Sequence, residues 1–336
     1  TFVEMGKLLQ FVGFVIVVII ACLYYYTPTS KSLCKDDIES KVFKIEDKFF
    51  GKEPRDLGYT EWGISTGHPI IHFHPQPTSR LFFNPKFNET LVSNGLRLFI
   101  LDRPGIGISS PWTFQSRTTT DWANDVLQFV ENMEFNSVSL IGHSAGCPHA
   151  IAAAEILKDK VKSLILMGPI IFKSSLSNED LGKLENYEFD PLDGMLSSSQ
   201  NLYSLGASGY HWVNNALLHV LAPLLTSNLE LSYAEIKEIN SEKSIFDDPL
   251  WESIFYSATA ECYRQGISGM AQDLEACALP FQFSLSKLAV NTNIFVGSDD
   301  KFTPPSHAKL IHHLLPNSQL NIIPGFGHWS LFSNYF

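Results

Sequence analysis

Along the chain, short apolar runs that end near Gly, Pro, Asp or His alternate with stretches whose apolar residues recur at helical spacing. The runs 57–63, 69–74, 97–102, 137–142, 161–168, 293–297 and 319–323 are short and largely apolar. The alternation of such runs with amphipathic segments points to a parallel sheet. Between the third and fourth runs, Trp122, Val126, Phe129, Val130 and Met133 repeat behind three threonines, which predicts a helix over 118–133 and completes a strand–helix–strand unit. The rhythm breaks over 169–287, which is rich in aromatics and in amphipathic stretches such as 210–225 but poor in strand-like runs. This reads as a mostly helical insertion splitting one sheet, because strand signals resume at Asn293. The expected class is therefore α/β, with core segments 36–168 and 288–336, the insertion at 169–287, and a separate N-terminal region at 1–35.

Residues 8–26 carry no charge and are almost wholly apolar, enough at the helical rise to cross a hydrocarbon core. Tyr24, Tyr25 and Tyr26 suit an interfacial belt, and no small-x-small cleavage site precedes them, so a transmembrane anchor is expected in preference to a signal peptide. The expected localisation is thus single-pass in a membrane, with the membrane as a partner. Sidedness stays open: Lys31, Lys35, Lys41 and Lys44 outnumber Lys7 and favour a cytosolic domain, whereas the triplet Asn88-Glu89-Thr90 has meaning only in a lumenal one.

Composition narrows the function classes. With 45% apolar and 18% charged residues, the chain of 336 residues is that of a folded globular protein, and its net charge of -11, without a basic cluster, excludes a nucleic-acid partner. Five scattered cysteines lack the paired spacing of a zinc site and are read as thiols; Cys262 with Cys277 is the pair whose bridging in an oxidising compartment stays open. His72 and His74 alternate on a strand, but no third ligand follows, so no metal and no cofactor is expected.

One pentapeptide carries specific chemistry. Gly142-His143-Ser144-Ala145-Gly146 has the form G-x-S-x-G and lies between the strand ending at Gly142 and a helix expected over 145–157. A sharp strand-to-helix turn strains the serine backbone and holds its hydroxyl out over the sheet; the flanking positions must be small because side chains there would collide. A serine hydroxyl needs a base, and the base needs an acid to set its tautomer and stabilise its cation. Two later strand ends supply them: Gly297-Ser298-Asp299-Asp300 and Gly325-Phe326-Gly327-His328. The expected order is Ser144, Asp300, His328, with Asp299 as an alternative acid.

With these residues aligned, the sequence resembles the alpha/beta-hydrolase superfamily from about Gly58 onward. The stretch His74-Pro75-Gln76-Pro77-Thr78-Ser79-Arg80 is similar to the His-Gly-x-Pro-Gly-Ser-Arg oxyanion loop of an esterase-like branch, and Asp102-Arg103-Pro104-Gly105-Ile106-Gly107-Ile108-Ser109 to that branch's Asp-Arg-Pro-Gly-x-Gly-x-Ser turn. The resemblance implies a mostly parallel, eight-stranded type of sheet flanked by helices, with 169–287 as a helical cap inserted before the acid-bearing strand. It also implies Ser144 as nucleophile, Asp300 as acid, His328 as base, and the backbone N–H groups of Gln76 and Ala145 as oxyanion donors. The departures are Pro75 and Thr78 in place of glycines; Pro75 removes its own N–H but leaves that of Gln76. The implied activity is cleavage of a carboxylic ester through an acyl-enzyme, and the aromatics Tyr203, Tyr210, Trp212, Trp251, Phe255 and Tyr263 of the insertion lean toward a small-molecule substrate with a lipid or other hydrophobic acyl group. The alternatives are acyl transfer, or a ligand-binding receptor that keeps the fold with little turnover. Oligomeric state is left open.

Overall fold

A computed structural model of the chain describes residues 38–46, 53–112, 117–195, 200, 236 and 238–335. Eight strands form one sheet: β1 (Ser40–Ile45), β2 (Arg55–Gly63), β3 (His68–Phe73), β4 (Leu96–Leu101), β5 (Val138–His143), β6 (Val161–Met167), β7 (Thr292–Gly297) and β8 (Ser318–Ile323). Their order is β1-β2-β4-β3-β5-β6-β7-β8. Only β2 runs against its neighbours; β4, β3, β5, β6, β7 and β8 pair in parallel. All seven runs expected from the sequence are strands. The eighth, β1, escaped because its alternation of exposed and half-buried positions, with Lys41 and Lys44 along it, is that of an edge strand rather than a covered one.

The named helices are α1 (Asn88–Ser93), α2 (Thr119–Asn132), α3 (Gly146–Leu157), α4 (Asn178–Gly182), α5 (Lys243–Phe246), α6 (Pro249–Cys262), α7 (Ser268–Ala278), α8 (Pro305–Leu314) and α9 (His328–Tyr335). Helix α2 begins where the threonines predict: the Thr118 hydroxyl accepts the Asp121 N–H while the Asp121 carboxylate accepts the Thr118 N–H, a reciprocal capping box. Successive strand residues face opposite sides of the sheet. Ile71, Phe99, Leu101, Leu140 and Leu164 join one buried cluster with Trp122 and Phe129 of α2, Ile151 of α3 and Leu310 of α8. Ile70, Leu98, Ile100 and Ile141 join another with Leu91 of α1, Phe255 of α6 and Phe332 of α9. Both faces of the central strands are thus covered, which is why β3, β4 and β5 are largely apolar.

Between β6 and β7 the described residues are helical or irregular. Cys147, Cys262 and Cys277 are buried free thiols, which answers the open question of a bridge between the last two. The run 8–26 lies outside the described residues, and among the described residues no helix is long and apolar enough to cross a membrane. The longest, α2 and α6, have 14 residues, against about 20 for a span. On that finding the expected single-pass membrane localisation does not stand.

Candidate active site

Ser144 stands between β5 and α3 with φ at 54°, one of few non-glycine residues in the left-handed region. Such a conformation costs about 1–2 kcal/mol and is held here by packing. A Cβ on Gly142 would come within 2.7 Å of the Cys147 Cα, and one on Gly146 within 2.0 Å of the Phe73 carbonyl oxygen. The two small positions of the motif are therefore demanded by backbone contact. The Ser144 N–H donates to the Met167 carbonyl (2.9 Å), tying the turn to the end of β6, and the residue is 9% exposed.

The next residue after Met167, Gly168, touches the other half of the constellation. Its φ is +48°, and a Cβ there would lie 2.9 Å from His328 Nδ1 and 3.1 Å from Asp300 Oδ2. His328 Nδ1 is 2.7 Å from Asp300 Oδ2. With its proton on Nδ1 the ring donates to the carboxylate, leaving Nε2 free to accept a proton. Asp300 is itself fixed, since its Oδ1 accepts the backbone N–H groups of Phe302 (2.9 Å) and Thr303 (2.8 Å). The Thr303 hydroxyl lies 2.8 Å from the Gly168 carbonyl, 3.1 Å from Asp300 Oδ2 and 3.0 Å from His328 Nδ1. Asp299, by contrast, is exposed and bonds to the neighbouring Ser298 hydroxyl. Of the two acids weighed from the sequence, it is Asp300 that meets His328.

The loop after β3 packs on the serine turn through the contact of Gly146 with Phe73 and His74. Among the described residues, the backbone N–H groups of Gln76 and Ala145 donate to no protein acceptor. The Gln76 side chain donates to Asp273 of α7. Asp273 also accepts from Arg103 Nε (2.7 Å) and Arg117 (2.9 Å) and lies 3.0 Å from His149 Nε2. Arg103 in turn donates to the His74 carbonyl (2.7 Å), so one carboxylate of the insertion holds the loop by two routes. Burial alone would raise the Asp273 carboxyl, but Arg103, His149 and Arg117 hold it well below the ordinary carboxylate range. Nearby, Arg80 bridges Asp102 (2.7 Å) and Glu261 of α6 (2.8 Å), joining the two motif loops to the insertion. Asp102 and Arg103 thus build the loops rather than face a reacting group.

His143 is stacked on Phe332, with ring centroids 4.7 Å apart, and its ring is 5.2 Å from that of His328. Burial, with the neighbouring His328, keeps it well below the usual histidine range, so it supports the turn as a neutral ring. His72 stacks on Phe332 and His74 bonds to the Pro75 carbonyl. Among the described residues no group of three or more His, Cys, Asp or Glu is placed to hold a metal. A groove of ≈ 650 Å³ between Ser174, Asn178, Glu179, Phe283 and Lys287 contains none of Ser144, Asp300 and His328, so the chemistry and not the volume marks the site. Of the aromatics in the insertion, Tyr203, Tyr210 and Trp212 lie outside the described residues; Trp251 and Phe255 are core, packed with Phe82.

Residues missed from the sequence are Thr303, Glu242, Glu261 and Asp273. Thr303 had a local signal, an acid three residues before a threonine that leads into Pro304-Pro305 and α8. The three acids had none for the partners that matter here, because Arg80, Arg103, Arg117 and the start of α9 are all distant from them in sequence.

Residues 69–335 match the alpha/beta hydrolase fold family, and the chain belongs to it. Proline iminopeptidase of Arabidopsis thaliana is 28% identical over 124 residues, 35% of this chain and 30% of that protein. The 2-hydroxy-6-oxo-6-(2'-aminophenyl)hexa-2,4-dienoic acid hydrolase of Metapseudomonas resinovorans is 24% identical over 204 residues, 60% of this chain and 58% of its own length. The chain therefore spans about a third to somewhat over half of these two curated relatives. Among solved structures, a thermophilic esterase from Thermogutta terrifontis superposes with a TM-score of 0.57 at 19% identity, covering 86% of this chain and 91% of the esterase.

Proposed function

We propose that the chain is a serine hydrolase that cleaves a carboxylic ester of a small, hydrophobic acyl substrate. Ser144 attacks the carbonyl, His328 takes its proton through Nε2 and returns it to the leaving alcohol, and Asp300 stabilises the imidazolium. Water then releases the acyl group by the reverse sequence. The N–H groups of Ala145 and Gln76 receive the negative charge that develops on the carbonyl oxygen. In this reading the core is 36–168 with 288–336, and 169–287 is the cap over the substrate. The observation that carries it is Gly168: Ser144 hangs from the carbonyl just before it, and the bonded pair His328–Asp300 packs against its Cα.

The names of the relatives range over iminopeptidase, carbon–carbon hydrolase and esterase, so the bond cleaved is the finer part of the proposal. A fluorophosphonate probe on the full chain tests the nucleophile, followed by turnover of aryl esters against amino-acid arylamides and vinylogous diketones. Labelling lost in Ser144→Ala, with Asp300→Asn crippled and Asp299→Asn near wild type on an ester, is the expected result. A wild type that binds hydrophobic esters but takes no label would instead favour the receptor reading.

A further inference from the structure

Helix α9 begins at His328, so the ring that the proposed chemistry uses sits on the first residue of a helix whose leading N–H groups have no partner within it. A single carboxylate takes them. Glu242 accepts the N–H of His328, that of Trp329 (3.0 Å) and that of Ser330 (2.8 Å). It comes from the insertion, immediately ahead of α5, and is 1% exposed. The approach is close enough to constrain the sequence: a Cβ on Gly327 would fall 2.3 Å from Glu242 Oε1 and 2.8 Å from the Ser241 hydroxyl. Burial pushes the Glu242 carboxyl up, while the N–H groups of Ser330 and His328 and the charge of the His328 ring pull it back.

Burying a carboxylate is unfavourable unless its oxygens are bonded, and these oxygens are spent wholly on the backbone of the residue bearing the ring and the two after it. We infer that Glu242 is a positioning residue for His328: it fixes the Cα and the entry angle of α9, and so sets where the imidazole stands between Asp300 and Ser144. The segment between β6 and β7 thereby contributes to the proton-transfer machinery. This inference rests on the proposed role of His328, and its test has one arm that does not.

Compare Glu242→Ala and Glu242→Gln in the full chain. The glutamine keeps one oxygen to accept the His328 N–H and fills the same volume, so it guards against a variant that merely fails to fold. The first arm is ester turnover: Glu242→Ala should lose roughly 100-fold in kcat with KM within about 2-fold, because a displaced base slows chemistry without touching substrate affinity, and Glu242→Gln should recover most of it. The second arm is the low-field proton NMR signal of the His328 Nδ1–H bonded to Asp300, assigned by its absence in His328→Ala. It should broaden or vanish in Glu242→Ala and persist in Glu242→Gln. If no substrate is turned over, the hydrolase reading fails but the NMR arm still decides the role of Glu242. A Glu242→Ala protein that keeps both the signal and kcat, or a pair of variants equally impaired in signal, KM and thermal midpoint, overturns the inference.

Discussion

Replacing Asp273 by Asn removes one negative charge from the most deeply buried ionic network of the molecule while changing its shape by almost nothing. Arg103 and Arg117 are 1% exposed, and Asp273 is 0%. In the wider network Arg55, Arg80, Arg103 and Arg117 are matched by Asp102, Asp125, Glu261 and Asp273. The substitution therefore leaves one guanidinium charge uncompensated in the interior. His149 cannot relieve this by losing a proton, because burial, outweighing the pull of Asp273, already holds it down to about 4, neutral at pH 7. Breaking one side of a buried pair costs about 3–5 kcal/mol, which at about 2 °C per kcal/mol for a large domain lowers the thermal midpoint by about 6–10 °C. Differential scanning fluorimetry at pH 7 measures it, with Glu179→Gln as control; that residue pairs with Lys287 at the exposed surface, where such pairs contribute little. The pH dependence follows from the sign of the shift. A carboxyl held below its ordinary range stabilises the fold above its unfolded pKa of about 3.9 and loses that contribution as pH falls through its folded value. The gap between wild type and Asp273→Asn should therefore persist down to about pH 4. A midpoint within 2 °C of wild type at pH 7, roughly the worth of one surface contact, would show that the guanidiniums do not depend on this carboxylate.

Two further outcomes follow from the same contacts. Gly168→Ala places a methyl 2.9 Å from His328 Nδ1 at a φ of +48°, so about 1–2 kcal/mol of stability and roughly 10- to 100-fold of kcat should be lost together; a destabilised variant with unchanged kcat would mean that the His328–Asp300 pair is not set by this contact. Acid stability should fall early. Burial holds His149 and His307 down to about 4 and His72 to about 3, all below the unfolded value near 6.5, so their contribution is complete above about pH 6.5 and is lost as pH falls toward 4. Urea unfolding at pH 7, 5.5 and 4.5 should show a steady decline, and a flat profile across that range would refute buried neutral rings.

What could be read in advance is what backbone sterics and local packing determine. A strand packed on both faces is largely apolar, so the six parallel strands and the antiparallel β2 stood out, whereas β1, half wet and studded with lysines, did not. The serine turn was legible because Gly142 and Gly146 answer to atoms within a few residues of themselves or on the neighbouring strand end. Asp300 and His328 followed from the habit of parallel sheets to gather chemistry at one edge. The sequence put Asp300 first and kept Asp299 as an alternative, and in the structure it is Asp300 that bonds to His328 while Asp299 is exposed, since adjacent carboxylates point in different directions. The apolar run 8–26 illustrates the opposite risk, that composition alone prompts a placement the described helices do not support.

The acids of the insertion mark the boundary of that method. Glu242, Glu261 and Asp273 lie on or beside helices that would be read as amphipathic, and an acidic residue there looks like part of a solvated face. Each is instead buried against the core: Glu242 under α9, Glu261 on Arg80, Asp273 on Arg103 and Arg117. The demand for them was nonetheless written elsewhere in the chain. Arg80 and Arg103 stand inside loops whose neighbours are apolar or small, where an unpaired guanidinium would be too costly to bury. Asp102 lies in the same motifs and answers Arg80, which leaves Arg103 without a local carboxylate. A partner had to arrive from a distant segment, and the insertion is the segment that returns over these loops. The physical consequence is that any motion that lifts α7 from the loop after β3 must separate Asp273 from two buried guanidiniums at once.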